Sequence, residues 1–149
     1  MSLATDTALG LGVSCRSERG FVIAALSGEL DITAAPVLRE KLLGLLHDAS
    51  NLVIDLSAVS YADASGMAVL VGTSRRAGLL GGWLRLAAPS PEVARVLSAT
   101  GIGPHLDIFP TVQAAITSQH PDASAADVWP GIARHVGRTR LSRASATRA

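Results

Sequence analysis

Short apolar runs and leucines at helical spacing take turns along the chain. Phe21 to Ser27 (FVIAALS) is apolar, carries β-branched residues and ends at Gly28, so it is expected as a strand. Residues 10–17 alternate weakly before it, and Arg19-Gly20 punctuates the two, which predicts a hairpin. From Thr33 to His47 the positions Ala35, Leu38, Leu42, Leu45 and Leu46 recur at helical spacing. Arg39, Glu40 and Lys41 fall mostly on the other side, and Pro36 fits only in a first turn.

Asn51 to Leu56 (NLVIDL) is apolar toward both faces, as a central, doubly covered strand would be. Met67, Leu70, Val71 and Ser74 then mark a second helix over 64–77, and Gly81-Gly82 a turn. Trp83 to Ala87 is the next strand. Ser90-Pro91-Glu92 is a helix start, with a hydroxyl cap, a first-turn proline and an acid near the dipole's positive end; Gly101 is its stop. Leu106 to Phe109 reads as a last strand, and Pro110-Thr111 opens a short helix to about Ser118. The order β-β-α-β-α-β-α-β-α predicts an α/β fold. Right-handed crossovers give a mixed, mostly parallel sheet of about five strands and four helices, with the first strand antiparallel at one side. Partner and ligand surfaces in such folds gather beyond the strands' carboxyl ends, here the loops Gly28 to Asp31 and Ser57 to Gly66.

Composition narrows the function. The chain has 149 residues, one domain's length, with 48% hydrophobic and 3% aromatic residues, so its core must be aliphatic. A net charge of +1 argues against an overall electrostatic claim on nucleic acid or anionic lipid. Its distribution is uneven. Residues 1–118 hold 8 basic and 10 acidic residues, whereas 119–149 hold 5 arginines and 2 acids. The expected organisation is an N-terminal segment (1–9), a domain (10–118) and a basic, flexible tail (119–149), read either as a solvated extension or as a basic docking arm. The tail has room for a short helix around Val128 to Leu141, with Pro130 near its start. The one cysteine, Cys15, excludes an internal disulfide and multi-cysteine metal sites. No apolar run approaches a bilayer's thickness and no secretory signal is seen, so the expected location is cytoplasmic.

The chemistry-bearing pieces are few. In Tyr61-Ala62-Asp63-Ala64-Ser65-Gly66, Asp63 is placed to cap the second helix by accepting the N–H of Ser65 or Gly66. Ser65 then lies in the first turn, where exposed N–H groups tolerate a phosphate; on composition alone, a plain cap followed by a small residue for close packing is the favoured reading. In Gly28-Glu29-Leu30-Asp31, Asp31 is either a local cap or a partner to Asp63 across the sheet's end, and two such carboxylates suggest a polar surface or a metal-assisted step. Asp55 is expected to be structural. The four histidines lack metal-ligand spacing, and no nucleophile elbow, phosphate-binding glycine loop or zinc-protease helix is present. No catalytic residue, metal or cofactor is expected, and an enzyme is the less favoured class.

As an ordered set, Gly28-Glu29-Leu30-Asp31, the strand ending Asp55-Leu56-Ser57, Asp63 with Ser65-Gly66, and Gly101 before the last strand resemble the STAS domain, and more narrowly the bacterial anti-sigma factor antagonists. The resemblance covers about residues 10–118. It implies a small α/β domain that works by protein contact. Its partner would be an anti-sigma factor, a serine kinase of the GHKL type, whose capture frees a sigma factor. It also implies a contact face made of Gly28, Glu29, Asp31, Asp63, Ala64, Ser65, Gly66 and the exposed side of the second helix with Arg75 and Arg76. The family's acceptor hydroxyl usually follows the Asp directly, as Asp-Ser-Ser-Gly or Asp-Ser-Thr-Gly. Here Ala64 stands at that place, so either the chain escapes phosphorylation or Ser65 is the acceptor. A phosphate of about −1.5 to −2 charge beside Asp31 and Asp63 would weaken the complex. A transporter-associated STAS subunit and a small-molecule or nucleotide sensor are the alternatives. No direct nucleic-acid contact and no membrane insertion are expected.

Overall fold

The computed structural model describes residues 4–8 and 10–118, with side chains described for 10–118. The tail expectations therefore lie outside the described residues. Strands β1 (Ala4–Ala8), β2 (Leu11–Glu18), β3 (Phe21–Leu30), β4 (Asn51–Ala62), β5 (Trp83–Ala87) and β6 (Asp107–Phe109) form one sheet in the order β1-β2-β3-β4-β5-β6. The first two pairings are antiparallel and the next three parallel. Helices α1 (Ala35–Asp48), α2 (Ala64–Leu79), α3 (Pro91–Ala99) and α4 (Val112–Thr117) complete the fold. The hairpin turn holds Arg19 and Gly20 at φ 53° and 87°, the mirror-image turn geometry that suits the strands' twist.

All five expected strands are present, and three differences stand out. Residues 4–8, expected ahead of the domain, pair with β2 as an edge strand; the polar ATDTA offers no apolar signal, and the main-chain ladder supplies the attraction. The strand expected to stop at Ser27 continues to Leu30, and the one expected to stop at Leu56 continues to Ala62. Gly28 and Glu29 are thus laddered strand rather than loop, as are Ser57 to Ala62. Two register shifts, between Ala25 and Ser27 and between Gly28 and Glu29, absorb the mismatch. The exposed Ser57, Ala58, Ser60 and Tyr61 gave no strand pattern, because only Val59 and Ala62 of this stretch turn into the core.

Spatial order repeats sequence order, so each parallel crossover steps the same way. Right-handed connections then lay α1, α2 and α3 on one face. Val22, Ala24, Leu26, Leu52, Ile54, Leu56, Leu84 and Leu86 project there and pack with Leu38, Leu42, Met67, Leu70, Val93 and Leu97. The opposite face carries Phe21, Ile23, Val53, Ala87 and Phe109 under Ala115 and Ile116 of α4. Arg85 is buried on that face, at 5% exposure. Its guanidinium lies 3.8 Å from the Trp83 ring centroid and donates from Nη1 to the Ala115 carbonyl at 2.6 Å, a cation on the last turn of α4. Burial pulls its pKa down and Asp107 acts against that shift. Trp83 meets Phe21 edge to face at 5.5 Å.

Candidate functional site

The carboxyl ends of β3 and β4 deliver two short connections to one corner, Asp31 to Ala34 and Asp63. Each connection is organised by its own carboxylate. Asp31 Oδ1 accepts from the Thr33 hydroxyl at 2.7 Å and from the Thr33 and Ala34 N–H groups at 3.1 and 3.0 Å, a turn that launches α1. The Thr33 hydroxyl, then the Ala34 N–H, holds the Asp31 carboxyl below its usual range. Asp63 Oδ1 accepts from the Ser65 and Gly66 N–H groups at 2.9 and 3.1 Å, capping α2 as its spacing predicts. Its other oxygen, Oδ2, accepts the Ile32 N–H at 3.2 Å, so this one side chain ties the second connection to the first.

Gly66 explains why the corner is tight. A Cβ there would overlap the Leu30 carbonyl, so only glycine lets the first turn of α2 press on the end of β3. The Asp63 N–H donates to that same carbonyl at 3.1 Å. Gly28 is the second such point. It sits at φ 94°, and a Cβ would strike the Gly10 carbonyl.

The structure brings Asp31, Asp63, Ala64, Ser65 and Gly66 together around Ile32. The two carboxylates do not form a bare pair; each is engaged by main-chain N–H groups. Ala64 is exposed and Ser65 half-buried. Ser65 shares a cavity with Ile32 and Arg39. Glu29 is exposed and pairs in register with Tyr61 near the end of the sheet, while Gly28 serves the backbone. Arg75 and Arg76 are exposed but stand near the far end of α2, about 15 Å along its axis from Ser65. They belong to the same helix as the corner, not to the corner.

Sequence reasoning missed Ile32. It is 69% exposed, and its main-chain N–H is anchored on Asp63 Oδ2. The available signal was an aliphatic residue inside an Asp-x-Thr turn, where a polar one is usual. Tyr61, 49% exposed, is a second apolar body at this end of the sheet.

Among the described residues no group of three or more His, Cys, Asp or Glu is placed to hold a metal ion. The parallel strands never reverse their spatial order, so the crevice that such sheets offer at a reversal does not arise. Burial pushes the Cys15 thiol pKa up, away from nucleophilic use. No helix of the described residues is long and apolar enough to cross a membrane.

Comparison with known proteins agrees with this fold. The family model of the STAS domain matches residues 13–115. An anti-sigma-B factor antagonist of Bacillus subtilis is 35% identical over 100 residues, covering 67% of this chain and 92% of that protein. Among solved structures, an anti-sigma factor antagonist from Mycobacterium paratuberculosis superposes with a TM-score of 0.66 at 29% identity, over 72% of this chain and 92% of that one. The antagonist SpoIIAA in its unphosphorylated form gives 0.58 at 25% identity, over 77% and 93%.

Proposed function

The chain belongs to the STAS domain family, and from that premise we propose that it is an anti-sigma factor antagonist, a cytoplasmic protein without chemistry of its own. Its partner is an anti-sigma factor of the GHKL serine-kinase type, and binding releases a sigma factor. The observation that carries the reading is the corner itself. Asp63 fixes two connections at once and thereby holds Ile32, Ala64 and Ser65 in one rigid, partly apolar patch at the start of α2. The names of the similar proteins support the same role.

Regulation at this corner differs from the family pattern. Ala64, the residue directly after the Asp63 cap, carries no hydroxyl. The protein is therefore always competent to bind, and no phosphate at that position switches it off. Ser65 is the competing acceptor. Incubation with the cognate kinase and ATP, followed by mass spectrometry, decides between them. An unmodified chain that still binds the kinase is the expected result. Phosphate that disappears in Ser65→Ala overturns constant competence, and failure to bind any anti-sigma factor overturns the role.

A further inference from the structure

Between α1 and α2 the surface sinks into a groove that runs away from the Asp63 corner. Three cavities follow one another along it, of about 340, 320 and 500 Å³. The first and second share Arg39 and Ala68; the second and third share Leu43 and Arg76, so the trough is continuous. Its length follows α2 from Ser65 to Leu80, about 22 Å at the helical rise.

The lining has a definite character. Ala68, Val69 and Gly72 keep the α2 side low and apolar. Leu43 and Leu80, 38% and 47% exposed, add aliphatic surface. Arg39 and Arg76 both line the trough, exposed, and neither makes an ion pair among the described residues. None of the residues lining the three cavities is acidic. An apolar trough with unmatched cations along it is complementary to an amphipathic helix with an aliphatic stripe and acidic flanks.

Other occupants fit less well. Of residues 119–149, the 5 arginines all fall in 134–149, so that part of the chain's own tail would bring like charge, while 119–133 hold both acids but also Pro121 and Pro130, which do not suit a helix of about 15 residues. A second copy docking groove to groove would bring the Arg39 and Arg76 cations of one copy up to those of the other, since a two-fold interface uses the same patch on both sides. A flat bilayer would not reach the floor of a concave trough.

We propose that the α1–α2 groove seats an acidic amphipathic helix of a partner protein, about 15 residues long at the helical rise. This deepens the docking role proposed above and rests on it. The corner supplies one end of the contact and the groove extends it along α2.

The test uses a synthetic probe, a fluorescein-labelled, stapled helical peptide with leucines at i, i+4, i+7 and i+11 and glutamates on the flanks. A second version carries lysines in place of the glutamates. Anisotropy titrations are made against the wild-type protein, Gly72→Leu, and the double variant Arg39→Glu/Arg76→Glu. A Cβ at Gly72 meets open space, so the leucine fills the trough without disturbing the core, and a thermal melt no lower than wild type verifies it. The acidic probe is expected to bind, and to bind at least about tenfold more weakly to either variant; the lysine version is expected to lose about as much on the wild type. No binding, equal binding of the two probes, or indifference to Gly72→Leu overturns the proposal. So does sedimentation with phosphatidylglycerol vesicles, or a self-association that Gly72→Leu abolishes, in place of probe binding.

The parent reading is tested separately, with a purified GHKL-type anti-sigma factor. Binding that is lost on Ala64→Trp but indifferent to Gly72→Leu overturns the groove and leaves the antagonist role standing. An anti-sigma factor that binds no form of the protein overturns the role, while the probe still decides the groove.

Discussion

Asp63 accepts the main-chain N–H of Ile32 across 31 positions of sequence, at 3.2 Å, while its other oxygen caps α2. The two tasks separate in Asp63→Asn. The amide oxygen can keep the Ser65 and Gly66 N–H groups, but the amide nitrogen then meets the Ile32 N–H, donor against donor. Asp63→Ala loses the cap as well. The expected losses are about 1 kcal/mol for the asparagine and about 2 kcal/mol for the alanine variant by urea denaturation. Partner affinity should fall in both, because the Ile32 turn loses its anchor.

Ala64→Ser restores a hydroxyl directly after Asp63. The side chain is exposed in the first turn of α2, so stability should change by less than about 0.5 kcal/mol. The variant should become a kinase substrate at the introduced hydroxyl while the wild type does not. Phosphate incorporation, and the loss of partner binding that follows it, are the measurements.

Glycine positions should separate sharply. Gly28→Ala forces a Cβ onto the Gly10 carbonyl at a positive φ, and about 3 kcal/mol of destabilisation is expected. Gly44→Ala lies on the exposed side of α1 with open space around it, and a gain of about 0.5 to 1 kcal/mol is expected from helix propensity. Chemical denaturation of the two variants side by side checks both signs.

Arg85 holds the α4 face together through Trp83, Phe109 and the Ala115 carbonyl. Arg85→Ala should cost roughly 2 to 4 kcal/mol. Arg85→Met should cost roughly half as much, since it keeps the packed stem and removes a buried Nε that has no hydrogen-bond partner among the described residues. An equal loss in the two variants would mean that the hydrogen bond and charge dominate over packing.

Stability should also depend on acid. The Asp31 pKa is lowered in the fold by the Thr33 hydroxyl and then the Ala34 N–H. A lowered folded-state value means that the stabilisation is complete above the unfolded-state pKa and is lost as pH falls through the folded-state one. Between about pH 5 and about pH 3 the wild type should therefore lose more Tm than Asp31→Asn, which cannot titrate there. Thr33→Val should narrow that difference.

Much of this fold could be read in one dimension. Leu38, Leu42 and Leu46 repeat at helical spacing because one side of α1 meets the sheet, and each is buried. Asp63 and Ser90 announce their helices because capping is local, and both side chains accept first-turn N–H groups. What stayed hidden depends on contacts distant in sequence. At the ends of β3 and β4 the exposed pairs Ser27–Ala58 and Glu29–Tyr61 alternate with the buried Leu30–Ala62 pair, and the register shifts and small residues there blur the apolar alternation. The Asp63–Ile32 bond needs two connections to meet, which neither segment encodes alone. Arg85 looks like a surface residue in WLRLA until Trp83, Phe109 and α4 close around it.

Spatial order in the sheet follows the order of synthesis from β1 to β6. Each strand that leaves the ribosome finds its neighbour already waiting, and none must be inserted between two earlier ones. The sheet can therefore grow at a single edge during translation, with only β6 and α4 left to close the last side.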